Sequence, residues 1–238
     1  MWVILPGWAC PPTDYEELIA DEPYVVLDQW ETPLTEPLDI IRREVARLIA
    51  EEHDAPEMPT KVKLFGHSFG GLIAVEWAWK HPEEVEQLVL ADPSEPEPIG
   101  DRLPPLRMTK LMVKGTAVAG PWLYRVSRKL FGTRQDQWGV RERFAGRKNA
   151  QFLVDEFFAV ERKQHYLARE PLRINPEMPI AYLVSAGSAW QRYLSPGQRK
   201  FLSFQRIFAG MLGVEPVMLR GHNHLFPINH PELVRKYV

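Results

Sequence analysis

The sequence contains little of what several function classes require. It has a single cysteine, Cys10, among 238 residues, so it forms no disulfide within itself and fits a reducing compartment. No apolar run approaches the ~20 residues that a transmembrane helix needs. The first residues, Met1 to Pro6, lack the basic and long apolar segments of a secretory signal. We therefore expect a cytoplasmic protein that does not insert into a membrane.

The charge balance and the motifs exclude further classes. Lys and Arg number 29 against 31 Asp and Glu, giving a net charge of −2, and no basic run predicts nucleic-acid binding. A phosphate loop of the G-x-x-x-x-G-K type is missing. His222, His224 and His230 have no diagnostic metal-ligand spacing and no carboxylate cluster nearby. We predict no metal and no cofactor. Length and the 45% hydrophobic content fit one α/β domain with an inserted subdomain.

Residues 62 to 80 predict a nucleophile at a sharp turn. A short apolar run from Val62 ends at Gly66, Ser68 stands between Gly66 and Gly70, and apolar residues with helical spacing follow at once. This order of strand, G-x-S-x-G and helix is typical of a nucleophile elbow. The turn is so tight that the serine takes a strained backbone conformation, and small residues are needed beside it. We predict that Ser68 Oγ is exposed at the strand tip.

The same stretch resembles the α/β-hydrolase family. Residues 66–71 read Gly-His-Ser-Phe-Gly-Gly, which is similar to that family's Gly-His-Ser-x-Gly-Gly elbow, and the likeness continues to Leu88-Val89-Leu90. The resemblance implies a small sheet of about six strands, without the one or two leading strands common in the family. The alternative is a serine in a glycine-rich turn that carries no chemistry.

Strands and helices alternate along the first 91 residues. The predicted elements are strands at 2–5, 24–27, 62–66 and 85–91, a weak helix at 14–20, and helices at 38–52 and from residue 69. Later elements are a strand at 179–185, a helix from Pro196, a last strand at 214–219 and a terminal helix at 231–238. This alternation predicts an α/β fold with a doubly wound, mostly parallel sheet and right-handed crossovers.

The alternation breaks at the proline-rich segment 92–98. Helical patterns then cover 106–118, 122–131 and 149–166. This is where the resembling family inserts a helical cap, so we predict a cap at 99–175 and a core made of 1–98 and 176–238. The aromatic residues of the cap either line an acyl-binding surface or bury the cap against the core. Its basic residues either receive an anionic substrate or form a solvated surface.

The resemblance also implies an oxyanion hole. In the family, the loop after the first of these strands carries His-Gly followed by a residue whose N–H is one donor. Here Pro6 replaces that histidine, and Trp8 is the predicted donor, paired with the N–H of Phe69. Two donors that converge on one oxygen stabilise a tetrahedral acyl intermediate. A packed core tryptophan is the other interpretation of Trp8, and both hold together because the donor is backbone.

A serine hydroxyl needs a base, and the family's order Ser, acid, His points to the histidines after the last strand. Gly221-His222 resembles the family's usual Gly-His pair. His224, however, has Pro231-Glu232 seven residues later, as the family usually has after its base. We predict His224 as the base and keep His222 as the alternative. His67, inside the motif, is predicted to be structural.

The orienting acid is missing from the family's commonest position. The loop after the next-to-last strand reads Gly187-Ser188-Ala189-Trp190, with Trp190 where a carboxylate is expected. Some family members carry the acid after the strand that follows the nucleophile helix, which here is Asp92, with Glu95 as an alternative. Asp92 is otherwise a residue that starts the turn before Pro93. A third possibility is a Ser–His pair oriented by water or by a backbone carbonyl.

These residues predict a serine hydrolase that cleaves a carboxylic ester or thioester through an acyl-enzyme. Ser68 would attack, His224 would move the proton, and Asp92 would orient the base. The short start and Gly7-Trp8 are also similar to the small esterases that act on acyl-carrier-protein esters in biotin synthesis. The expected substrate is therefore a small-molecule or carrier-linked acyl ester or thioester. The alternatives are an acyltransferase on the same site and a non-catalytic ligand-binding protein of this fold, which Trp190 favours.

Overall fold

The structure, a computed structural model, describes residues 1–53, 59–94, 96, 111, 114–115, 118–119, 122, 147–187 and 196–238. The strands are β1 (Trp2–Leu5), β2 (Tyr24–Val26), β3 (Val62–His67), β4 (Val85–Ala91), β5 (Ile180–Gly187) and β6 (Val217–Arg220). The helices are α1 (Leu38–His53), α2 (Phe69–Lys80), α3 (Arg147–Leu167), α4 (Pro196–Met211), α5 (Phe226–Asn229) and α6 (Glu232–Arg235). Two 3₁₀ turns lie at Pro12–Tyr15 and Pro82–Glu84.

The six strands form one sheet in the order β2-β1-β3-β4-β5-β6. Every neighbouring pair is parallel. From β1 the chain moves outward to β2, returns to place β3 on the other side of β1, and then continues outward. The strand order reverses between β1 and β3, and ligands bind at such switch points in open parallel sheets. The predicted doubly wound sheet of six strands is confirmed.

Side chains of each strand alternate between two apolar layers. Val3 and Leu5 face the layer that contains α1, α2 and α4. Trp2 and Ile4 face the opposite layer, which contains Tyr15 and residues of α5 and α6. Both faces of the sheet are therefore covered, which explains why its strands read as continuous apolar runs in the sequence.

The helix that follows the nucleophile position is buried on nearly all sides. In α2, every residue from Phe69 to Ala78 is buried, because the sheet covers one side of the helix and α3 the other. Glu76 of α2 forms ion pairs with Lys163 of α3 and with Lys80 at 2.7 Å. By contrast, α1 buries one stripe of residues at helical spacing, since its other side faces solvent.

Three predicted elements differ from the observed ones. The weak helix at 14–20 is a 3₁₀ turn at Pro12–Tyr15, where two successive prolines start the turn. The last strand begins at Val217 and not at residue 214, because Pro216 has no N–H to donate to a sheet ladder. The terminal helix covers only Glu232–Arg235.

The predicted cap at 99–175 is described mainly over 147–175. There α3 matches the helix predicted at 149–166, and Glu156 on it accepts a hydrogen bond from Thr35 Oγ1 at 2.7 Å. Burial raises the pKa of this carboxyl. The helices predicted at 106–118 and 122–131 lie outside the described residues apart from single positions, and the limits of the cap stay a prediction. No helix in the described ranges combines the length and apolarity required to cross a bilayer.

Candidate active site

The carboxyl ends of strands β3 to β6 meet around a cavity of about 460 Å³. That volume lies within the range of about 300–1,000 Å³ that is usual for small-ligand sites. The residues that line it come from the ends of β3, β4, β5 and β6 and from α4: Ser68, Asp92, Pro93, Ser94, Ser185, Gly187, Phe201, His222, Asn223 and His224. Three residues that the sequence predicts as a catalytic set therefore share one cavity.

Ser68 occupies the corner between β3 and α2. Its backbone has φ 52° and ψ −116°, a conformation that costs a non-glycine residue about 1–3 kcal/mol. Two hydrogen bonds link it to the end of β4 and the residues that follow: Ser68 N–H donates to the carbonyl of Ala91 at 3.0 Å, and Ser94 N–H donates to the carbonyl of Ser68 at 2.7 Å. The end of β4 thus stabilises the strained corner on which the serine hydroxyl is carried.

The glycines beside Ser68 are required by close backbone contact. A Cβ atom on Gly70 would lie 2.0 Å from the carbonyl oxygen of Leu5, and one on Gly66 would lie 2.6 Å from the Cα of Gly71. Neither glycine has a positive φ. Positions 66 and 70 therefore have no room for a side chain, because the elbow packs against β1 and against its own helix.

Asp92 follows β4 and is fixed by several hydrogen bonds. Its φ is 42°, and its side chain is fully buried. The backbone N–H of Ser185 donates to Oδ1 at 2.6 Å, and the Ser185 hydroxyl donates to Oδ2. Asp92 N–H donates to the carbonyl of Leu183 at 2.8 Å. Strand β5 therefore holds the carboxylate by both its backbone and a side chain.

His224 lies in the loop after β6, with Nδ1 3.2 Å from Oδ2 of Asp92. Its side chain is 48% exposed, whereas that of Asp92 is 0% exposed. In the tautomer that donates from Nδ1 to the carboxylate, Nε2 keeps a lone pair and can accept a proton. Within the described residues, Ser68 Oγ makes no hydrogen bond to His224, as is frequent before substrate binds.

The loop that carries His224 is attached to β5. Gly187 N–H donates to the carbonyl of His222 at 3.1 Å, and Gly221 N–H donates to the carbonyl of Gly187 at 2.9 Å. Gly221 has φ 86°, which lets the chain turn back toward the cavity after β6. The same strand therefore positions both Asp92 and the loop of His224.

The other candidate residues are placed differently. The ring of His222 lies 4.8 Å from that of His230, and its side chain lines the cavity; among the described residues, the histidine that is hydrogen-bonded to Asp92 is His224. Glu95 and Trp190 lie outside the described residues. Among the candidates that the structure describes, Asp92 and His224 are in direct contact.

The predicted oxyanion donors are backbone N–H groups at the ends of β1 and β3. Among the described residues, neither the N–H of Trp8 nor that of Phe69 donates to an acceptor. Trp8 is 37% exposed, and its side-chain Nε1 donates to the carbonyl of Leu153 on α3 at 3.3 Å. The Trp8 side chain thus connects the loop after β1 to α3. The backbone N–H of Trp8 remains available for a ligand.

Buried Gln29 holds the loop on both sides of Trp8. Its Nε2 donates to the carbonyls of Gly7 and Cys10 at 3.0 Å each, and its Oε1 accepts from Ala9 N–H at 3.0 Å. These three hydrogen bonds satisfy the neighbouring backbone groups and leave the Trp8 N–H out of the set. The conformation of the predicted oxyanion loop therefore depends on a side chain that follows β2.

The sequence pattern predicts no role for Ser185 or Gln29. The signal for Ser185 was a hydroxyl at the end of an otherwise apolar strand, where a buried polar group requires a partner. Gln29 carried a weaker signal, since a polar residue after a strand is ordinary in loops. Both act through contacts between distant segments, which a local pattern does not report.

One group of possible metal ligands lies away from the cavity. Among the residues that the structure describes, ligand atoms of His81, Glu83 and Glu84 lie within 4.8 Å of one another. Glu84 already receives hydrogen bonds from Arg42 Nε at 3.0 Å and from Trp77 Nε1 at 2.9 Å. These contacts explain Glu84 as a structural acid, and we assign no metal to the group.

The whole-chain comparison identifies the family. A model of the alpha/beta hydrolase family matches residues 2–236, so the chain belongs to that family. Membership supports a hydrolase in general. The substrate class and the roles of single residues are proposals, which follow below.

Solved structures agree on the fold. An esterase from Exiguobacterium antarcticum superposes with a TM-score of 0.58 and 15% identity, over 99% of this chain and 88% of that one. MenH from S. aureus superposes with a TM-score of 0.57 and 15% identity, over 99% and 90%. Identities this low establish the fold alone.

A curated relative shares only a short segment. The abhydrolase domain-containing protein abhd-5.2 of Caenorhabditis elegans is 58% identical over 33 residues, which are 14% of this chain and 7% of that protein. The match therefore spans a small part of the relative's length and transfers no activity to this chain.

Proposed function

We propose that the protein is a serine hydrolase that cleaves a carboxylic ester or thioester through an acyl-enzyme. The observation that carries the proposal is the buried carboxylate of Asp92, 3.2 Å from Nδ1 of His224, in the cavity that Ser68 also lines. A carboxylate, an imidazole and a serine at a strained corner are the three groups that this chemistry uses.

The proposed steps assign one task to each group. Ser68 Oγ attacks the acyl carbonyl carbon while His224 Nε2 takes the hydroxyl proton. Asp92 keeps His224 in the productive tautomer and stabilises the imidazolium that forms. The oxyanion of the tetrahedral intermediate accepts hydrogen bonds from the backbone N–H groups of Trp8 and Phe69.

The second half of the reaction reuses the same groups. His224 returns its proton to the leaving alkoxide or thiolate as the tetrahedral intermediate collapses, which leaves the acyl group on Ser68. Water then enters the leaving-group position and loses a proton to His224 as it attacks the acyl carbon. The carboxylic acid departs and Ser68 recovers its proton.

The contact between Asp92 and His224 also bears on the binding-protein alternative. That alternative was favoured by the lack of a carboxylate in the family's commonest position. Asp92 lies at the end of β4 with its carboxylate within hydrogen-bond distance of His224, which supports the catalytic proposal over the binding protein.

Labelling with a fluorophosphonate tests the proposal. We expect one covalent adduct, mapped by peptide mass spectrometry to Ser68, and none in Ser68→Ala. Ser203→Ala, a hydroxyl removal at an exposed position of α4, is the matched control and should label like the wild type. Folded wild-type protein that forms no adduct at Ser68 would contradict the proposal. A series of p-nitrophenyl esters and acyl thioesters of graded length then defines the acyl group.

A further inference from the structure

Buried His67 lies next to Ser68 and has no task in the steps above. Its side chain contacts two other segments of the site: the hydroxyl of Tyr15 lies 2.7 Å from Nδ1, and the carbonyl oxygen of His224 lies 2.9 Å from Nε2. We propose that His67 and Tyr15 are positioning residues that fix the oxyanion loop and the base relative to the nucleophile. This inference rests on the proposed function.

The direction of each hydrogen bond follows from the chemistry of the partners. The carbonyl of His224 can only accept, so Nε2 of His67 carries the hydrogen and donates. In a neutral imidazole the other nitrogen then accepts, so the Tyr15 hydroxyl donates to Nδ1. The oxygen of Tyr15 in turn accepts from the backbone N–H of Gly7 at 2.8 Å. One chain of hydrogen bonds therefore runs from Gly7 to His224.

Both side chains stay neutral in this chain of hydrogen bonds. Burial, and next the nearby His224 imidazole, lower the pKa of His67 to about 3. Burial, and next Cys10, raise the pKa of the Tyr15 hydroxyl well above its ordinary value. Near neutral pH, His67 is therefore uncharged and adds no positive charge beside the imidazolium that forms on His224, whose ring centroid is 5.0 Å away.

The chain of hydrogen bonds touches all three parts of the site. His67 is joined to Ser68 by a peptide bond, to the backbone of His224 through Nε2, and to the Gly7-Trp8 loop through Tyr15. Gly7 also needs to be a glycine here, because a Cβ on it would lie 2.9 Å from Nδ1 of His67. A shift of the imidazole would therefore move the base and the oxyanion donor together.

Three variants separate the two arms of this chain of hydrogen bonds. One arm runs from Nδ1 of His67 through Tyr15 to Gly7, and the other runs from Nε2 of His67 to the carbonyl of His224. Tyr15→Phe and His67→Gln each break the arm toward Gly7, and glutamine can keep the donor to the carbonyl of His224. His67→Asn keeps an acceptor near the position of Nδ1 and breaks the arm toward His224. We expect each variant to lower kcat about ten- to hundredfold and to change KM less than threefold. Tyr24→Phe, which removes a hydroxyl bonded to the carbonyl of Glu16 at 3.3 Å, is the matched control.

The double variant Tyr15→Phe/His67→Gln gives the readout that distinguishes positioning from general stability. Both changes break the arm between His67 and Gly7. We therefore expect the kcat of the double variant, and its rate of fluorophosphonate labelling at Ser68, to equal those of the less active of the two single variants. Labelling of Tyr15→Phe at the wild-type rate, or single effects that multiply in the double variant, would overturn the inference alone. Wild-type protein that does not label at all would overturn the proposed function, and this inference with it.

Discussion

Oδ2 of Asp92 lies 3.2 Å from Nδ1 of His224, although 132 residues separate the two in sequence. The carboxylate is fully buried, and the imidazole is about half exposed. Such an arrangement holds the Nδ1 edge of the imidazole on a fixed acceptor, while the side chain remains about half exposed and lines the cavity. In the proposed catalytic steps, this contact sets the tautomer and the orientation of the base.

Replacing Asp92 with asparagine should remove most of the activity. The amide cannot stabilise an imidazolium and favours the wrong tautomer of His224, so we expect kcat to fall by about 10³–10⁴ with little change in KM. Steady-state kinetics on the best ester substrate measure the effect. Asp28→Asn is the control, since Asp28 also follows a parallel strand, and its carboxylate accepts a local hydrogen bond from Trp30 N–H at 3.0 Å. A loss of less than tenfold in Asp92→Asn would assign Asp92 a structural role.

The two histidines of the last loop should behave differently. His224→Ala removes the proposed base, and we expect kcat to fall by several orders of magnitude, about as far as in Ser68→Ala. His222→Ala removes a side chain that lines the cavity and meets the His230 ring edge to face, so we expect mainly a higher KM. Kinetics of the two variants on one substrate decide between them, and a larger loss of kcat in His222→Ala would exchange their roles.

The elbow glycine nearest β1 should tolerate no side chain. Gly70→Ala places a Cβ 2.0 Å from the carbonyl of Leu5, and we expect the free energy of unfolding to fall by about 3 kcal/mol, with loss of activity. Gly210→Ala, on α4 with nothing within 4 Å, is the matched control and should stabilise by about 0.5–1 kcal/mol. Urea unfolding measures both, and equal effects would mean that the elbow does not pack as described.

The architecture could be predicted from the sequence because a parallel sheet covered on both faces requires apolar strands. Buried parallel strands require apolar runs, and the elbow requires Gly66 and Gly70 beside Ser68; both signals are local. The Asp92–His224 contact was one of several alternatives in the sequence, since it depends on the distance between two loops. The hydrogen bonds of Ser185 and Gln29 left almost no local signal, because each pairs residues from different strands. The apolar pattern predicted that the last strand starts at residue 214. It starts at Val217 because Pro216 has no N–H to donate to the sheet.

Acid should destabilise the wild type more than a variant without His67. In the unfolded chain the imidazole takes up a proton near pH 6.5, whereas in the folded protein it does so only near pH 3. Between these values the unfolded state binds more protons, so stability falls as pH falls, by at most roughly 1.4 kcal/mol per unit. We expect a shallower loss in His67→Gln, measured by urea unfolding from pH 7 to pH 4. Other titrating groups cancel in this comparison, and equal slopes would contradict the assigned state of His67.

The acyl-enzyme itself gives the most direct test of the central claim. Wild-type protein is mixed with an activated p-nitrophenyl ester, quenched in acid within the first turnover, and analysed by intact and peptide mass spectrometry. The account predicts a mass increase equal to the acyl group on Ser68, formed together with a burst of p-nitrophenol. Hydrolysis that proceeds without an adduct on Ser68, and at an undiminished rate in Ser68→Ala, would contradict it.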